Sequence, residues 1–404
     1  MKSRILMITT LAFFILVGFQ PLHAKDLYVA KTGDDNVSYA NNSILNPWAT
    51  PKKAVASVLA GDTVYIRQGT YTLTSSIQTS RSGSASSPIT IKAFPDEQPI
   101  LSISGVGEIF YIEHPYWIIG GLTLQSSNMP DHDHGIISVG YNNDAHHFTI
   151  HNSSLHVVNS LGRDNISCIR LQASRSNYAY IYFNTLQGQG AGGTTYRNSG
   201  VQYLGGQNVG TKILNNEIYD CELGVYVKHA NNDTAETGAE VAYNYLHDNK
   251  YDIYGNPVRI NYHDNLLTGG GMLFGDNGGG SQGTNCTLNH NTVEGVIELW
   301  SPSEGPITNF TITNNIFASR ITYGSTLSLN SWDYNIYTKN SAEGPNDIGN
   351  TTPVYLRDRS PLTPPVIAGF RLHKESAGYL GGNDGKNIGA DTTKVGPLVR
   401  PSLN

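Results

Sequence analysis

Short runs of β-branched and aromatic residues, each followed by an asparagine, recur along most of this chain. The repeat is clearest between residues 215 and 301, where Asn216, Asn244, Asn265 and Asn291 follow one another at spacings of 28, 21 and 26 residues. A variable repeat of this size, built from short strands without helical periodicity, indicates a β-solenoid whose coils stack to bury their apolar faces. We interpret the asparagines as an internal ladder whose amides bond the backbone where the chain turns.

The chain's opening has its own pattern, in which a short strand precedes a short helix. Thr50 and Pro51 are typical of a helix start, and Gly61 can adopt the left-handed conformation that ends one, which predicts a helix over residues 52–60. A short amphipathic helix at this place is suited to cover the open end of a solenoid.

The run LYVAKTG…NPWATPKKAVASVLAGDTVYIRQGTYT, together with the later coils, resembles the secreted right-handed parallel β-helix proteins of the pectate-lyase-like superfamily. The resemblance implies an all-β, right-handed parallel β-helix with a short N-terminal capping helix. Many members of that group are polysaccharide lyases, so it also implies a polysaccharide-active enzyme.

Three segments are expected. Residues 1–24 carry Lys2 and Arg4, an apolar stretch and a terminal Ala24, which is typical of a cleaved signal peptide. Residues 25–340 are predicted to form the β-helix with its N-terminal cap, and residues 341–404 a C-terminal cap or flanking tail. The mature protein is therefore expected to be secreted or periplasmic, without membrane attachment after cleavage, and monomeric.

The net charge and the cysteine content limit the partners and sites that the sequence supports. Without residues 1–24 the chain has 24 basic and 32 acidic residues, a net charge of −8 that argues against nucleic acid as a partner. Cys168, Cys221 and Cys286 are odd in number and lack metal-like spacing, so we expect buried thiols rather than a disulfide framework or a zinc site.

Period-two alternation in the second strand of each pair predicts an outward ribbon. Val225 and Val227 alternate with Tyr226 and Lys228, and Ile297 and Leu299 alternate with Glu298. Cations, carboxylates and aromatic rings along one ribbon suit a groove for an extended acidic polysaccharide. The predicted ribbon comprises Arg170, Gln172, Gln202, Tyr226, Lys228, His229, Asp252, Tyr254, Phe274, Asp276, Glu298 and Trp300.

β-Elimination from a uronate needs a base at the carbon α to the carboxylate and a positive group that neutralises that carboxylate. Lys228 is the predicted base, Arg170 the neighbouring cation, and Tyr254 the alternative base or proton donor. The predicted substrate-binding residues are Tyr226, His229, Gln202, Gln172, Phe274 and Trp300.

A basic catalytic residue with bound Ca²⁺ is common in the related lyases. The resemblance therefore makes Ca²⁺ a candidate cofactor, with Asp252, Asp276 and Glu298 as candidate ligands and Asp252 also a candidate catalytic group. The clustered aspartates of the calcium-dependent pectate lyases are missing, as is the metal set of the alginate and chondroitin lyases. Only the general pattern of a base beside acids carries over.

Other functions stay open at this point. Asp252 with Asp276, or Asp276 with Glu298, could be the two carboxyl groups of a glycoside hydrolase. A C5-epimerase would share the first step of a lyase, and a non-catalytic carbohydrate-binding β-helix would need only the surface. Histidines 132, 134, 146, 147 and 151 have irregular spacing, and we interpret them as a loop cluster.

Overall fold

The computed structural model describes residues 24–172, 175–190, 198–206, 209–230, 238–275, 283–299, 307–324, 327–340, 342–353, 355 and 367–397. Within these ranges the chain is a right-handed parallel β-helix with three parallel sheets of 12, 11 and 10 strands. Each coil visits the twelve-stranded, the eleven-stranded and then the ten-stranded sheet before the next coil begins. Strands are numbered in chain order below.

The twelve-stranded sheet opens the solenoid. It consists of β1 (Asp26–Val29), β2 (Thr63–Ile66), β5 (Ile89–Ala93), β8 (Trp117–Gly120), β11 (Thr149–His151), β14 (Tyr180–Tyr182), β17 (Lys212–Leu214), β20 (Ala239–Ala242), β23 (Ile260–His263), β26 (Thr287–Asn289), β29 (Phe310–Thr313) and β32 (Leu329–Asp333).

The eleven-stranded sheet follows after a short turn in each coil. It consists of β3 (Thr70–Leu73), β6 (Ile100–Ser104), β9 (Thr123–Ser127), β12 (Ser154–Val158), β15 (Thr185–Gln187), β18 (Glu217–Tyr219), β21 (Tyr245–His247), β24 (Leu266–Leu267), β27 (Thr292–Val293), β30 (Ile316–Phe317) and β33 (Ile336–Tyr337).

The ten-stranded sheet closes each coil and contains the predicted ribbon. It consists of β4 (Ile77–Gln78), β7 (Phe110–Ile112), β10 (His134–Val139), β13 (Ile166–Gln172), β16 (Ser199–Gly206), β19 (Leu223–Ala230), β22 (Tyr251–Gly255), β25 (Gly271–Phe274), β28 (Val296–Leu299) and β31 (Ile321–Tyr323).

The predicted asparagine ladder is confirmed at the turn between the first two sheets. In each link the side-chain amide of one asparagine donates to the next asparagine's Oδ1 at 3.0 Å, and that Oδ1 also accepts the first residue's backbone N–H. The ladder therefore fixes the turn in the coils from Asn184 to Asn335. Its members are Asn184, Asn216, Asn244, Asn265, Asn291, Asn315 and Asn335, while Ser153 rather than Asn152 donates to its first member.

The predicted N-terminal helix is present as α1 (Pro51–Ser57) and is shorter than expected. The Thr50 hydroxyl accepts from the Lys53 backbone N–H, as an N-cap residue does, and the helix ends at Ser57 before Gly61. No helix in the described residues is long and apolar enough to cross a membrane.

The C-terminal part of the chain lies along the eleven-stranded sheet. A 3₁₀ helix (Ile367–Phe370) is followed by turns, and Phe370 and Val395 pack on Tyr245 and Leu266. A second small apolar cluster joins Leu372 and Ile388 to Ile316 and Ile336. All three cysteines are buried and unpaired, as expected.

Candidate active site on the ten-stranded sheet

One column of side chains runs along the outer face of the ten-stranded sheet. Successive members of the column are paired on adjacent strands. The residues before and after each member on its own strand point into the core. Val225 and Val227, for example, are buried on both sides of Tyr226. The column consists of Tyr111, Ser138, Arg170, Gln202, Tyr226, Tyr254, Leu273 and Glu298.

A second outward column lies two residues further along the strands. Gln172 on β13 pairs with Leu204 on β16, which pairs with Lys228 on β19. Gln172 and Lys228 are half-buried. The sheet therefore brings Arg170, Gln202, Tyr226 and Tyr254 into one column and puts Lys228 beside them.

Arg170 is the most strongly constrained of these side chains. Its Nη2 forms an ion pair with Asp133 Oδ1 at 2.9 Å, and only 7% of its side chain is exposed. Its Nε and Nη1 are buried and have no hydrogen-bond partner in the described part of the chain. Buried donors without partners are rare, because they lose their hydration without replacement, so two such groups on one guanidinium indicate a place for a ligand.

A short chain of amides extends this contact along the column. Asn165 donates through Nδ2 to Asp133 Oδ1 at 2.6 Å, and Gln202 donates through Nε2 to Asn165 Oδ1 at 2.7 Å. Gln202 Oε1 is buried without a partner in the same described region. The unpartnered atoms around Arg170 thus include both donors and an acceptor.

A buried carboxylate lies on the other side of Arg170. Glu108 accepts from the Ser138 hydroxyl at 3.2 Å, and both of its oxygens lie 3.1 Å from His134 Nδ1. Tyr111 also bonds Glu108, and its burial, followed by the Glu108 charge, raises the pKa of the Tyr111 phenol above its usual range. Glu108 is 1% exposed, so these contacts replace its hydration.

Tyr226 and Tyr254 continue the column on β19 and β22. Their ring centroids are 5.5 Å apart with the planes inclined by 61°, an edge-to-face arrangement. Tyr226 is fully buried, whereas Tyr254 is half-buried. Glu298 is half-buried at the far end of the column, between Leu273 and Thr322.

Asp252 does not lie on the open face, so its predicted catalytic and metal-binding position is wrong. It is fully buried and accepts from Asn249 Nδ2 at 3.0 Å and from the backbone N–H groups of Gly269 and Gly271 at 3.1 Å. Burial raises its pKa to about 7, while these hydrogen bonds act in the opposite direction. Asp252 closes a turn at the start of β22, before the alternation begins.

Phe274 also faces the core, which corrects its prediction as a substrate-binding residue. It pairs with Gly255 and Leu299 and packs in the main apolar cluster, as does Met272, so Leu273 occupies the outward position. In Gly271–Phe274 every side chain is apolar, so alternation cannot distinguish the two faces. A one-residue error then reverses every orientation.

Three predicted residues cannot be placed in full. Asp276 and Trp300 lie outside the described residues, and for His229 only the backbone, within β19, is described.

Asp252, with its oxygens already bonded, does not fit a Ca²⁺ site. The described residues contain no group of three His, Cys, Asp or Glu side chains arranged for a metal.

Sequence reasoning missed Glu108, Asp133 and Asn165, and it interpreted His134 as part of a loop cluster. Glu108, Asp133 and Asn165 precede β7, β10 and β13 by one or two residues, where no periodicity predicts orientation. The outward column itself, extended upstream through Ser138 and Tyr111, was the available signal.

Comparison with known proteins agrees with the opening motif. Residues 27–201, less than half of the chain, match the family model described as "Pel9A-like, right handed beta helix region". The resemblance to pectate-lyase-like β-helix proteins is confirmed. Pectate lyase PEL9 of Emericella nidulans is 40% identical over 83 residues, a match that spans 20% of this chain and 20% of that relative.

Solved structures extend the likeness in fold to most of the chain. Pectate lyase Pel9A superposes with a TM-score of 0.64 at 16% identity, covering 90% of this chain and 93% of that one. XylC in complex with xylose superposes with a TM-score of 0.55 at 11% identity, covering 83% and 88%. The chain therefore shares the fold of these proteins over most of its length.

Proposed function

We propose that this protein is a polysaccharide lyase that cleaves a uronate-containing polysaccharide by β-elimination. The observation that carries the proposal is Arg170, whose buried guanidinium has two unpartnered N–H-bearing atoms on the outer face of the ten-stranded sheet. The partial match to a pectate lyase and the lyase-like fold support the same reaction class.

Arg170 would bind and neutralise the uronate carboxylate. Removal of the proton at C5 shifts negative charge onto that carboxylate, so a fixed cation stabilises the transition state more than the ground state. Nε and Nη1 point in different directions, so a carboxylate oxygen would accept from one of them rather than from both as a fork. Asp133 holds Nη2 and thereby fixes the orientation of the guanidinium.

Lys228 and Tyr254 are the groups proposed for proton transfer. Lys228 lies on β19, two strands beyond Arg170, and strands of a sheet are about 4.8 Å apart, so the two Cα atoms are separated by about 10 Å or more. Long side chains from both positions can meet over a single sugar ring. Tyr254 lies one strand further, beside Tyr226.

The remaining residues of the face would bind the rest of the polymer. Gln172 is half-buried and offers its amide group, whereas Gln202 and Tyr226 are fully buried and would support the column between Arg170 and Tyr254. His229, Trp300 and Glu298 stay proposed contacts at the ends of their strands. A polymer running along the solenoid axis would meet one strand about every 4.8 Å, close to the length of a sugar unit.

Ca²⁺ stays a candidate cofactor with a reduced set of ligands. Asp252 is removed from that set by its burial and its three hydrogen bonds, which leaves Asp276 and Glu298. We derive no step of the reaction through a metal. Export to the periplasm or the medium likewise stays a proposal, based on residues 1–24.

The test is a panel of uronate polymers and a neutral polymer, followed by ultraviolet absorbance and by chain length, with and without a chelator. Elimination forms a conjugated uronate, so absorbance should rise as chain length falls on at least one uronate polymer. New reducing ends without absorbance would indicate a hydrolase, and uronate inversion at constant length an epimerase. Binding without any product would indicate a carbohydrate-binding protein, and each of these results would overturn the proposal.

A further inference from the structure

We infer that His134, oriented by Glu108, is the residue that accepts the C5 proton from the sugar whose carboxylate Arg170 binds. The inference deepens the proposed elimination and rests on it. It leaves the donation of a proton to the departing oxygen to Lys228 or Tyr254.

Glu108 fixes the tautomer of His134. Glu108 is an acceptor toward Ser138 and the Gly135 backbone N–H, so the proton in its contacts with His134 Nδ1, both 3.1 Å, belongs to the imidazole. In the neutral ring, Nε2 then carries the lone pair that can accept a proton. That nitrogen has no hydrogen bond in the described part of the chain, and 25% of the side chain is exposed.

A base held by a carboxylate on its other nitrogen is a recurring arrangement in proton-transfer catalysis, because the carboxylate fixes both ring orientation and tautomer. Glu108 itself is 1% exposed. Both of its oxygens contact His134 Nδ1, so its role is to position His134.

The position of His134 relative to Arg170 also supports this role. Three consecutive residues lie beside Arg170 or its strand partner Ser138. Asp133 pairs with the Arg170 guanidinium at 2.9 Å, and Gly135 passes beside the first carbons of the arginine side chain. His134 shares its partner Glu108 with Ser138. A Cβ placed on Gly135 would lie 3.0 Å from Arg170 Cβ. Since Ser138 is the strand partner of Arg170, His134 and Arg170 belong to adjacent coils.

Lys228 is further from the same point. It lies two strands beyond Arg170 on the opposite side from His134. A lysine side chain is ordinarily an ammonium ion near neutral pH, and as such it donates a proton without needing any shift, whereas a neutral imidazole accepts one.

The step balances without another reactant. His134 Nε2 takes the C5 proton, the C5–H electron pair becomes the C4=C5 bond, and the C4–O4 bond breaks with its electrons on oxygen. O4 takes a proton from Lys228, and His134 and Lys228 exchange with water to restore their starting states.

The experiment compares His134→Asn with His134→Ala on the polymer that gives unsaturated product. Asparagine keeps an N–H at the position of Nδ1 for Glu108 but lacks Nε2, so kcat should fall by about 10²- to 10⁴-fold while KM changes little. His134→Ala should fall at least as far and recover partly when imidazole is added to the assay. Glu108→Gln should also lose kcat, and imidazole should not restore it, because the native ring is still present.

His156→Ala is the matched control, since His156 is a half-buried histidine bonded to Gln187 on the eleven-stranded sheet, and it should retain full activity. Thermal unfolding of each variant separates loss of fold from loss of chemistry. If folded His134→Asn keeps wild-type kcat, or if imidazole fails to rescue folded His134→Ala, the inference is wrong even though the wild type is a lyase. If the wild type makes no unsaturated product, the proposed function fails first.

Discussion

At the scale of single residues, Arg170 on β13 is bonded differently from an exposed arginine. An exposed arginine completes its hydrogen bonds with water, whereas Arg170 is buried with one ion pair and two nitrogens without partners in the described chain. Its charge is held in a region of low dielectric, where an arriving carboxylate would interact far more strongly than in water. A ligand that accepts from these two nitrogens would offset the cost of keeping them buried.

Replacing Arg170 should therefore remove activity. Arg170→Lys keeps a charge but not the planar fork, and we expect kcat/KM to fall by about 10²- to 10³-fold, as when a donor to a developing anion is lost. Initial rates on the active polymer measure the effect. Arg163→Ala, an exposed arginine in the loop before β13, should change the rate by less than about twofold; equal losses in both variants would argue against a specific role.

Asp252 gives a prediction about pH. Its pKa in the folded protein is about 7, above the value of about 3.9 for an unfolded aspartate. The folded state thus holds the proton longer, so the contribution of this group to stability is complete below about pH 4 and is lost as pH rises toward 7. Unfolding free energies of wild type and Asp252→Asn, compared from pH 4 to 8, should show a difference that changes by a few kcal/mol across that window; a constant difference would contradict the assignment.

At the scale of the elements, the turn after each strand of the twelve-stranded sheet is set by the asparagine ladder. Asn244 is typical: its Nδ2 donates to the Ile213 carbonyl at 2.8 Å and to Asn265 Oδ1 at 3.0 Å, and its Oδ1 accepts from Asn216. Removing one rung leaves buried donors on the neighbouring coil without a partner.

Asn244→Ala should therefore lower the free energy of unfolding by about 1–3 kcal/mol or more, since each buried unsatisfied group costs about that much. Denaturant unfolding followed by circular dichroism measures it. Asn261→Ala is the control, because Asn261 is exposed on β23 and its loss should stay within about 0.5 kcal/mol. Equal effects would mean that the ladder does not stabilise the turns.

The first residues of β10 are a second place where the backbone is closely packed. A Cβ at Gly135 would lie 2.9 Å from the Ile137 carbonyl oxygen, besides its approach to Arg170. Gly135→Ala should shift the start of β10 together with Asp133 and His134, so kcat should fall by an order of magnitude or more while the solenoid stays folded.

The control for Gly135→Ala is Gly105→Ala. Gly105 lies in the loop after β6, and no heavy atom lies within 4 Å of a Cβ placed there. Its positive φ of 75° makes alanine mildly strained, so some stability should be lost without loss of kcat. Unchanged kinetics in folded Gly135→Ala would contradict the close packing described here.

The sequence predicts most of the features that repeat from coil to coil and few of the features that occur only once. The solenoid, the asparagine ladder and the column through Arg170, Gln202, Tyr226 and Tyr254 follow from spacing and clean alternation. Phe274 was misplaced because its strand is wholly apolar. Asp252 and His134 lie at the start of their strands and Glu108 lies just before one, where orientation depends on the neighbouring coil rather than on the local pattern.

At the scale of the whole molecule, the three sheets offer three long outer faces, and the chain uses them differently. The eleven-stranded face is partly covered by the C-terminal segment through Phe370, Leu372 and Ile388. On the ten-stranded face, by contrast, Glu108 bonds His134 and Ser138, and Arg170 on the next strand pairs with Asp133. An extended polymer lying along the solenoid axis would cross these side chains in sequence.

The most direct test of the account is a crystal structure of the His134→Asn variant with a uronate oligosaccharide taken from the polymer that the enzyme cleaves. The account predicts a sugar chain along the ten-stranded face, with one carboxylate accepting a hydrogen bond from Arg170 Nε or Nη1 and with the C5 hydrogen of that sugar directed toward position 134. An oligosaccharide bound on another sheet, or one that leaves Arg170 without a carboxylate, would contradict it.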